Sequence, residues 1–238
     1  MFQIQMADTT VQINNRYQRC KQHCQEYLLS DCKKPDITVE VSAKEIDTFV
    51  ANATSFGIEG LSKDGAEIYC VHELIYRQLP LVGAFWLHAV AVEMDGVAYA
   101  FSAPSGYGKT THAKLWLKQF PDRARIINGD NPVFRKIGND YHAYGTPFCG
   151  KERYQVKTHA PLRGLCYLKH STTNHIQRQE PGLVFGELVR GYQNLFSQEN
   201  QSAYLTLLQD FAETVPVYQL CCNMDPEAAQ VAYQGMKL

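Results

Sequence analysis

The sequence lacks a surplus of either charge, since 23 lysines and arginines stand against 24 aspartates and glutamates in 238 residues. A formal net charge of −1 does not favour a nucleic-acid or membrane-surface partner. The sequence also lacks an apolar run near the roughly 20 residues that span a bilayer. Residues 1–8 lack the basic and apolar stretches of a signal peptide. We therefore expect a cytoplasmic protein.

The eight cysteines include no Cys-x-x-Cys pair, the spacing typical of a zinc site or a redox motif. In a reducing compartment we expect them to be free thiols. Cys20, His23, Cys24 and Cys32 leave a metal site open as an alternative. The helical spacing of Cys20 and Cys24 puts both on one helix face, which packing alone explains.

What is present is a large apolar share, 45% of the residues, which is enough for a sizeable core. We expect residues 1–80 to form a small α+β lobe packed on a core of residues 81–238. In the lobe, the pattern predicts a helix over 15–30, a strand over Asp36–Val41, and helices over Ala43–Ala51 and Gly65–Leu79. Ser42 and Glu45 have the spacing of a capping box for the second helix.

Two apolar runs, Trp86–Met94 and Val97–Phe101, flank an Asp-Gly pair, which is the strongest local signal for a β-hairpin. The register of this hairpin places His88 beside Ala103. An antiparallel hairpin does not belong to the parallel β–α–β arrangement of Rossmann-type sheets. We therefore expect an α/β fold with α+β character, built on a mixed sheet.

Residues Ala103–Thr110 read Ala-Pro-Ser-Gly-Tyr-Gly-Lys-Thr, between an apolar run and a helical segment. This is the strand–loop–helix context of a phosphate-binding loop, with an ordinary glycine-rich turn as the alternative. The glycines let successive N–H groups point at an anion, Lys109 can reach the β- and γ-phosphates, and Thr110 can place its hydroxyl on Mg²⁺. The residues that we expect to bind the nucleotide are Ser105, Gly106, Tyr107, Gly108, Lys109, Thr110 and Thr111.

Beyond this loop, helical and strand patterns alternate. Helices are predicted over Thr111–Phe120, Leu183–Phe196 and Ala203–Glu213, and strands over Arg125–Asn128, Val133–Ile137, Tyr141–Tyr144, Leu162–Leu168 and Val215–Cys221. Asp130 follows the first of these strands, where a catalytic or Mg²⁺-ordering carboxylate belongs, although a solvated turn aspartate fits as well. Lys151 and Arg153 are candidates for steadying phosphate or substrate, or are solvated loop charges.

In order and spacing, His88, the loop Ala103–Thr111 and the segment Asn128–Asn131 resemble the catalytic domain of HPr kinase/phosphorylase. That family belongs with the phosphoenolpyruvate carboxykinase-like P-loop proteins. Tyr144–Glu152 resembles a Tyr-Gly-Thr-Pro-aromatic-Cys-Gly-Lys-Glu loop found in small HPr-kinase-like proteins of bacteria. The similarity covers about residues 80–235 and does not extend to the part of the chain before them.

The resemblance implies that Asp130 acts as a general base that deprotonates the acceptor hydroxyl. It also implies that Asp130 and Thr110 bind the Mg²⁺ ion and that His88 lies next to the phosphates. The residues that we expect near the acceptor are Asn131, Lys151, Glu152 and Arg153. Asn131 stands where HPr kinase has a second aspartate, which argues against the reverse, phosphorolytic activity. Because the related kinase assembles as a multimer, a homo-oligomer stays open.

Together these features predict a kinase that uses ATP and Mg²⁺ to phosphorylate a hydroxyl, with Asp130, Lys109 and His88 as catalytic residues. A serine of a protein or peptide is the expected acceptor, by analogy with the family. A small-molecule alcohol is one alternative. A nucleotide-binding regulatory module without phosphotransfer is another, and it would keep Lys109 and Thr110 but leave Asp130 away from the γ-phosphate.

Overall fold

The structure is a computed structural model that describes residues 1–180, 182 and 198–237. Its strands are β1 (Phe2–Met6), β2 (Thr9–Asn14), β3 (Ile37–Glu40), β4 (Ala84–Trp86), β5 (Ala89–Met94), β6 (Val97–Ser102), β7 (Ala124–Asn128), β8 (Val133–Ile137), β9 (Asp140–Tyr144), β10 (His159–His170), β11 (His175–Arg178) and β12 (Val217–Cys222). Its α-helices are α1 (Gln18–His23), α2 (Ala43–Asn52), α3 (Lys63–Gln78), α4 (Lys109–Gln119), α5 (Gln198–Thr214) and α6 (Glu227–Met236). The helix expected over Leu183–Phe196 lies outside the described residues.

Residues 1–80 form a three-stranded sheet, β1–β2–β3, with α1, α2 and α3. The capping box of α2 is confirmed, since the Glu45 N–H donates to Ser42 Oγ and the Ser42 N–H donates to Glu45 Oε2. The helix predicted over 15–30 is wrong in length. It stops at His23, because the chain beyond Tyr27 turns to pair with β1, where the Leu29 N–H donates to the Gln3 carbonyl at 3.0 Å.

The large sheet is mixed, which confirms the expected fold class. Its strand order is β4–β8–β9–β10–β6–β5–β7, and β12 pairs with β10 and β11. The strand β6 runs antiparallel to β5 and parallel to β10, and β12 is parallel to β10. Residues on β6 alternate between two cores: Tyr99 and Phe101 pack with Trp116 of α4, and Ala98 and Ala100 pack with Phe211 of α5.

The hairpin of β5 and β6 has the register that its Asp-Gly turn predicts, with Met94 opposite Val97. Asp95 and Gly96 both have positive φ angles, +55° and +82°, as a two-residue turn of this kind requires. The last residue pair of this hairpin is Ala89 with Ser102, so His88 lies just outside the ladder. The predicted strand Trp86–Met94 is interrupted after Trp86, which ends β4, and resumes at Ala89, where β5 begins.

The hydrophobic core of residues 1–80 continues into the rest of the chain. Ile4, Ile13 and Ile75 lie in one buried cluster with Val133 and Phe148. Within the described residues, no helix has the length and apolar character needed to cross a membrane.

Candidate functional site

The sheet topology brings the two predicted site segments to one edge. Because β5 runs antiparallel to both β6 and β7, these two strands point in the same direction. Their carboxyl ends therefore meet at the same edge of the sheet. The segment Ala103–Thr110, called the P-loop below, follows β6 directly, and Gly129-Asp130 follows β7.

The P-loop has the predicted strand–loop–helix setting, since β6 ends at Ser102 and α4 begins at Lys109. Gly106 and Gly108 adopt φ angles of +76° and +92°. Residues that have a Cβ atom rarely adopt this backbone conformation. The residues from Ser105 to Tyr107 are exposed, so the loop is open to a ligand at the N-terminus of α4. A helix N-terminus and free loop amides attract an anion.

Lys109 supplies a cation beneath this loop. The residue is 6% exposed, and its Nζ donates a hydrogen bond to the Ala103 carbonyl at 3.1 Å. Burial lowers the pKa of the ammonium, and the negative charge of Asp130 acts in the opposite direction. The Ala103 carbonyl gives this buried ammonium a hydrogen-bond partner, which offsets part of the cost of burying its charge. Lys109 therefore suits the phosphate-binding role predicted for it.

The backbone at Asp130 is fixed by the side chain of Asn128, which is fully buried. Asn128 Oδ1 accepts hydrogen bonds from the N–H groups of Asp130 at 3.0 Å and Asn131 at 2.8 Å. Its Nδ2 donates to Thr146 Oγ1 at 3.0 Å and to the Phe148 carbonyl at 3.2 Å. One amide thus joins the end of β7 to the loop that follows β9. No local sequence pattern predicts this role for Asn128.

The Asp130 carboxylate lies between a histidine and an amide. His88 Nε2 is 3.1 Å from Asp130 Oδ1, and Asn131 Nδ2 donates to Asp130 Oδ2 at 2.9 Å. Burial by itself raises the pKa of this carboxyl, but His88, Lys109 and Asn131 together outweigh it, so the pKa lies below its ordinary value. Asp130 is therefore ionised at neutral pH. The His88 backbone lies at the start of the P-loop, as the hairpin register predicts, since its carbonyl accepts a hydrogen bond from Ser102 Oγ at 3.1 Å, while its ring contacts Asp130.

A loop from Gly145 to Val156 lies alongside the end of β7. The Val156 N–H donates to the Ile127 carbonyl at 3.0 Å, and the Gly129 N–H donates to the Tyr154 carbonyl at 2.9 Å. This pairing brings Gly150 against Asp130, where an added Cβ would lie 3.0 Å from the Asp130 Cβ. Gly150 also has a φ angle of +77°. Glycine is required there for both reasons.

The charged residues predicted near the acceptor, Lys151, Glu152 and Arg153, all lie exposed on this loop. Glu152 pairs with Lys114 of α4 at 3.3 Å, which links the loop to the helix behind the P-loop. Along the chain the three residues directly follow Gly150, which lies against Asp130. Their role in binding substrate stays a prediction.

Residues 1–80 reach the site through α3. The Tyr76 hydroxyl donates to the Asn131 carbonyl at 2.8 Å, and the His72 ring stacks on Phe148 with centroids 4.7 Å apart. Burial lowers the pKa of His72 to about 3, against a raising effect of the Asp130 charge. No local sequence pattern signals these contacts, because they join residues that are far apart along the chain.

The donor set at this edge fits Mg²⁺, which prefers hydroxyl, carboxylate and phosphate oxygens. Thr110 is half-buried in the first turn of α4, and Asp130 faces the same edge. No cluster of three histidine, cysteine or acidic residues suited to a metal occurs in the part of the chain that the structure describes. A Mg²⁺ ion here would therefore complete its ligands with phosphate oxygens and water.

Fold and site together define a mixed α/β protein in which a strand–loop–helix unit and the turn at Asp130 meet at one edge of the sheet. Among solved structures, the chain is similar to the Hpr(Ser) kinase/phosphatase from Coxiella burnetii, with 7% identity and a TM-score of 0.36. That match covers 64% of this chain and 94% of the other. A comparison with protein-family models finds no match, and neither does one with curated proteins.

Proposed function

We propose that the protein is a cytoplasmic kinase that uses ATP and Mg²⁺ to phosphorylate a hydroxyl group. The observation that carries the proposal is the placement of Lys109 and Asp130. A buried cation inside the P-loop and an ionised carboxylate lie at the same sheet edge, close enough for their charges to act on each other. Phosphoryl transfer needs a group that holds the phosphates and an acid that orients or deprotonates the acceptor.

In this mechanism, the P-loop amides and Lys109 hold the β- and γ-phosphates. When bound, Mg²⁺ offsets the negative charge that the phosphates carry during transfer. Asp130 accepts the proton of the acceptor hydroxyl while the acceptor oxygen bonds to the γ-phosphorus and the bond to ADP breaks. His88 and Asn131 orient the carboxylate through the hydrogen-bonding contacts at its two oxygens. The lowered pKa of Asp130 keeps this base ionised at neutral pH.

The acceptor that we propose is a serine of a protein or peptide. The side chain of Asp130 is 34% exposed, and the charged residues Lys151, Glu152 and Arg153, which follow Gly150 on the neighbouring loop, are exposed as well. An open, charged surface suits a macromolecule, whereas a metabolite is normally enclosed by convergent polar groups. A small-molecule alcohol is the alternative that the experiment below separates.

The test is single-turnover transfer from γ-labelled ATP in native cell extract, with the label followed into polypeptides and into metabolites. We expect label in a polypeptide with the wild-type protein. We expect Asp130→Asn to slow transfer by about 10²–10⁴-fold, the usual contribution of a general base. Asp122→Asn, an exposed aspartate just after α4, is the matched control and keeps the wild-type rate.

Three outcomes would contradict parts of this proposal. Equal rates for Asp130→Asn and the wild type would remove Asp130 from the mechanism. Label in a metabolite would identify a small-molecule kinase. Binding of ATP without transfer to any acceptor would identify a nucleotide-binding regulatory module.

A further inference from the structure

The position of Asp130 sets the direction of a bound nucleotide. Asp130 lies on the side of β6 that carries β5 and β7, and the proposed function puts the γ-phosphate on that side too. The nucleoside end of a triphosphate held by the P-loop must therefore extend to the other side of β6. There the neighbouring strands are β10 and then β12, and both are parallel to β6. Their carboxyl ends are at the same edge as the P-loop.

An exposed pair of stacked rings lies at this place. The ring of Tyr107, in the P-loop, stacks on the ring of His170, at the end of β10, with centroids 4.2 Å apart and an interplanar angle of 11°. His170 Nε2 is also 3.2 Å from the Tyr107 carbonyl oxygen. Tyr107 is 39% exposed and His170 is exposed too. The P-loop thus carries a flat aromatic surface on its nucleoside side.

The chain next to His170 continues this surface. His170 lies opposite Cys222 in the ladder of β10 and β12, and the Ser171 N–H donates to the Cys222 carbonyl at 2.9 Å. Shortly after Cys222, Met224 is 77% exposed. The preceding Asn223 is fixed, because its N–H donates to Asn174 Oδ1 at 3.0 Å. An exposed apolar side chain thus follows two residues after the strand position that lies opposite His170.

We propose that the Tyr107–His170 pair is the platform on which the base of the bound nucleotide stacks, with Met224 at its border. The ligand is the aromatic heterocycle of a nucleoside triphosphate. Every base has a π-face, so stacking adds affinity without requiring a particular hydrogen-bond pattern. This inference rests on the proposed nucleotide-binding function and adds the position of the base to it.

The experiment compares the affinity of Mg²⁺-ATP with that of Mg²⁺-tripolyphosphate, which has the phosphates but no base, by titration calorimetry. His170→Gln keeps a group that can hydrogen-bond to the Tyr107 carbonyl but removes the ring. We expect it to weaken ATP binding about 5- to 150-fold, the range for one base stacked on an aromatic ring. Tripolyphosphate binding should not change. His170→Phe, which restores a flat ring, should restore ATP affinity.

Tyr69→Ala is the matched control, because Tyr69 is also 39% exposed and also stacks on a ring, that of Phe49, but far from the P-loop. It should leave both affinities unchanged. Equal ATP affinity in His170→Gln and wild type would overturn the inference. An equal loss of affinity for ATP and for tripolyphosphate in His170→Gln would also overturn it. So would a loss of ATP affinity in His170→Phe that His170→Gln does not show. Either result would mean that His170 acts by holding the loop through its hydrogen bond. If the wild type binds neither ligand, the proposed function itself fails.

Discussion

At the scale of single residues, the side chain that organises the site is Asn128 rather than a charged group. Its amide satisfies two N–H groups of the turn at Asp130 and reaches across to Thr146 and Phe148. Asp130 is thereby held in one backbone conformation before any ligand binds. A base that is fixed in advance needs no reorganisation during transfer.

The first prediction concerns this amide. Asn128→Ala leaves buried hydrogen-bonding groups without their partner, so we expect a loss of about 1–3 kcal/mol in the free energy of unfolding. Asn52→Ala is the control, because Asn52 makes an exposed bond from Nδ2 to the Thr48 carbonyl at 3.0 Å and its loss should cost about 0.5 kcal/mol or less. Urea denaturation measures both. A smaller loss for Asn128→Ala than for Asn52→Ala would refute the role given to Asn128.

The second prediction concerns His112, which lies buried on α4 and accepts a hydrogen bond from Trp116 Nε1 at 3.1 Å. Burial lowers its pKa from the ordinary 6.5 to about 3 in the folded state. Between these two values only the unfolded chain binds the proton, so stability falls as the pH falls below about 6.5. Each such histidine contributes a slope of about 1.4 kcal/mol per pH unit.

We therefore expect His112→Gln to reduce the slope of unfolding free energy against pH, measured from neutral pH down to about pH 5. Glutamine can still accept the Trp116 bond but does not titrate. Gln177→Ala, which replaces an exposed side chain on β11 that carries no titrating group, is the control and should leave the slope unchanged. An unchanged slope in His112→Gln would show that His112 is not kept neutral by burial.

At the scale of elements, the loop from Gly145 to Val156 positions Asp130 from the outside. Gly150 lies against Asp130 and also has a positive φ angle. The effect of the contact can be separated experimentally from the effect of the backbone conformation. Gly57 has a similar φ angle of +70°, but an added Cβ there would meet no atom within 4 Å. The two glycines therefore differ in the contact alone.

The third prediction uses this difference. Gly150→Ala and Gly57→Ala should each lose about 1–2 kcal/mol of stability, the cost of a left-handed conformation for an L-residue. Gly150→Ala should also slow phosphotransfer by about 10²-fold, because displacing the base by about 1 Å disrupts its geometry. Gly57→Ala should transfer at the wild-type rate in the same single-turnover assay. Similar rates for the two variants would contradict the positioning role of Gly150.

Local sequence patterns predicted the strands, loop and helix that position the candidate site. The Asp-Gly turn gave the register of β5 and β6, and the loop after β6 leads into α4 as its glycines and Lys109 indicate. The hairpin of β1 and β2 was missed, because its turn residues Ala7 and Asp8 adopt positive φ angles without a glycine to signal them.

Contacts between distant segments were not predictable from local patterns. The pairing of β7 with β5 brings Asp130 to His88, and the loop after β9 brings Thr146 to Asn128. Neither contact has a periodicity or a turn residue that points to it. The candidate site was therefore predicted as a set of residues, but its support by Asn128, Gly150 and Tyr76 was not.

At the scale of the whole molecule, residues 1–80 and the rest of the chain share contacts next to the site. The Tyr76 hydroxyl donates to the Asn131 carbonyl. In addition, Arg135 Nη2 donates to Thr9 Oγ1 at 2.7 Å, and the Tyr144 hydroxyl donates to Asp8. The division into a lobe of residues 1–80 and a core stays a prediction. The shared hydrophobic cluster indicates that neither part keeps its buried surface without the other.

The fourth prediction is that the chain unfolds in a single transition. Its two tryptophans report on different clusters, since Trp86 packs against the cluster of residues 1–80 and Trp116 lies in that of α4. In Trp116→Phe, the fluorescence of Trp86 reports unfolding in urea. Its unfolding midpoint should equal the midpoint measured by far-UV circular dichroism on the same variant. Trp86→Phe, which leaves Trp116, should show the same agreement. Separate midpoints within one variant would show that the two parts unfold independently.

Calorimetric titration of the protein with Mg²⁺-ATP measures directly whether the P-loop holds a nucleotide. We expect saturable binding by the wild type and an affinity at least about tenfold lower for Lys109→Ala, because a charge-assisted contact to phosphate is lost. Lys118→Ala, an exposed lysine on the same helix, should bind like the wild type. No detectable binding by the wild type, or equal affinity for Lys109→Ala, would contradict the claim that this loop holds a nucleotide.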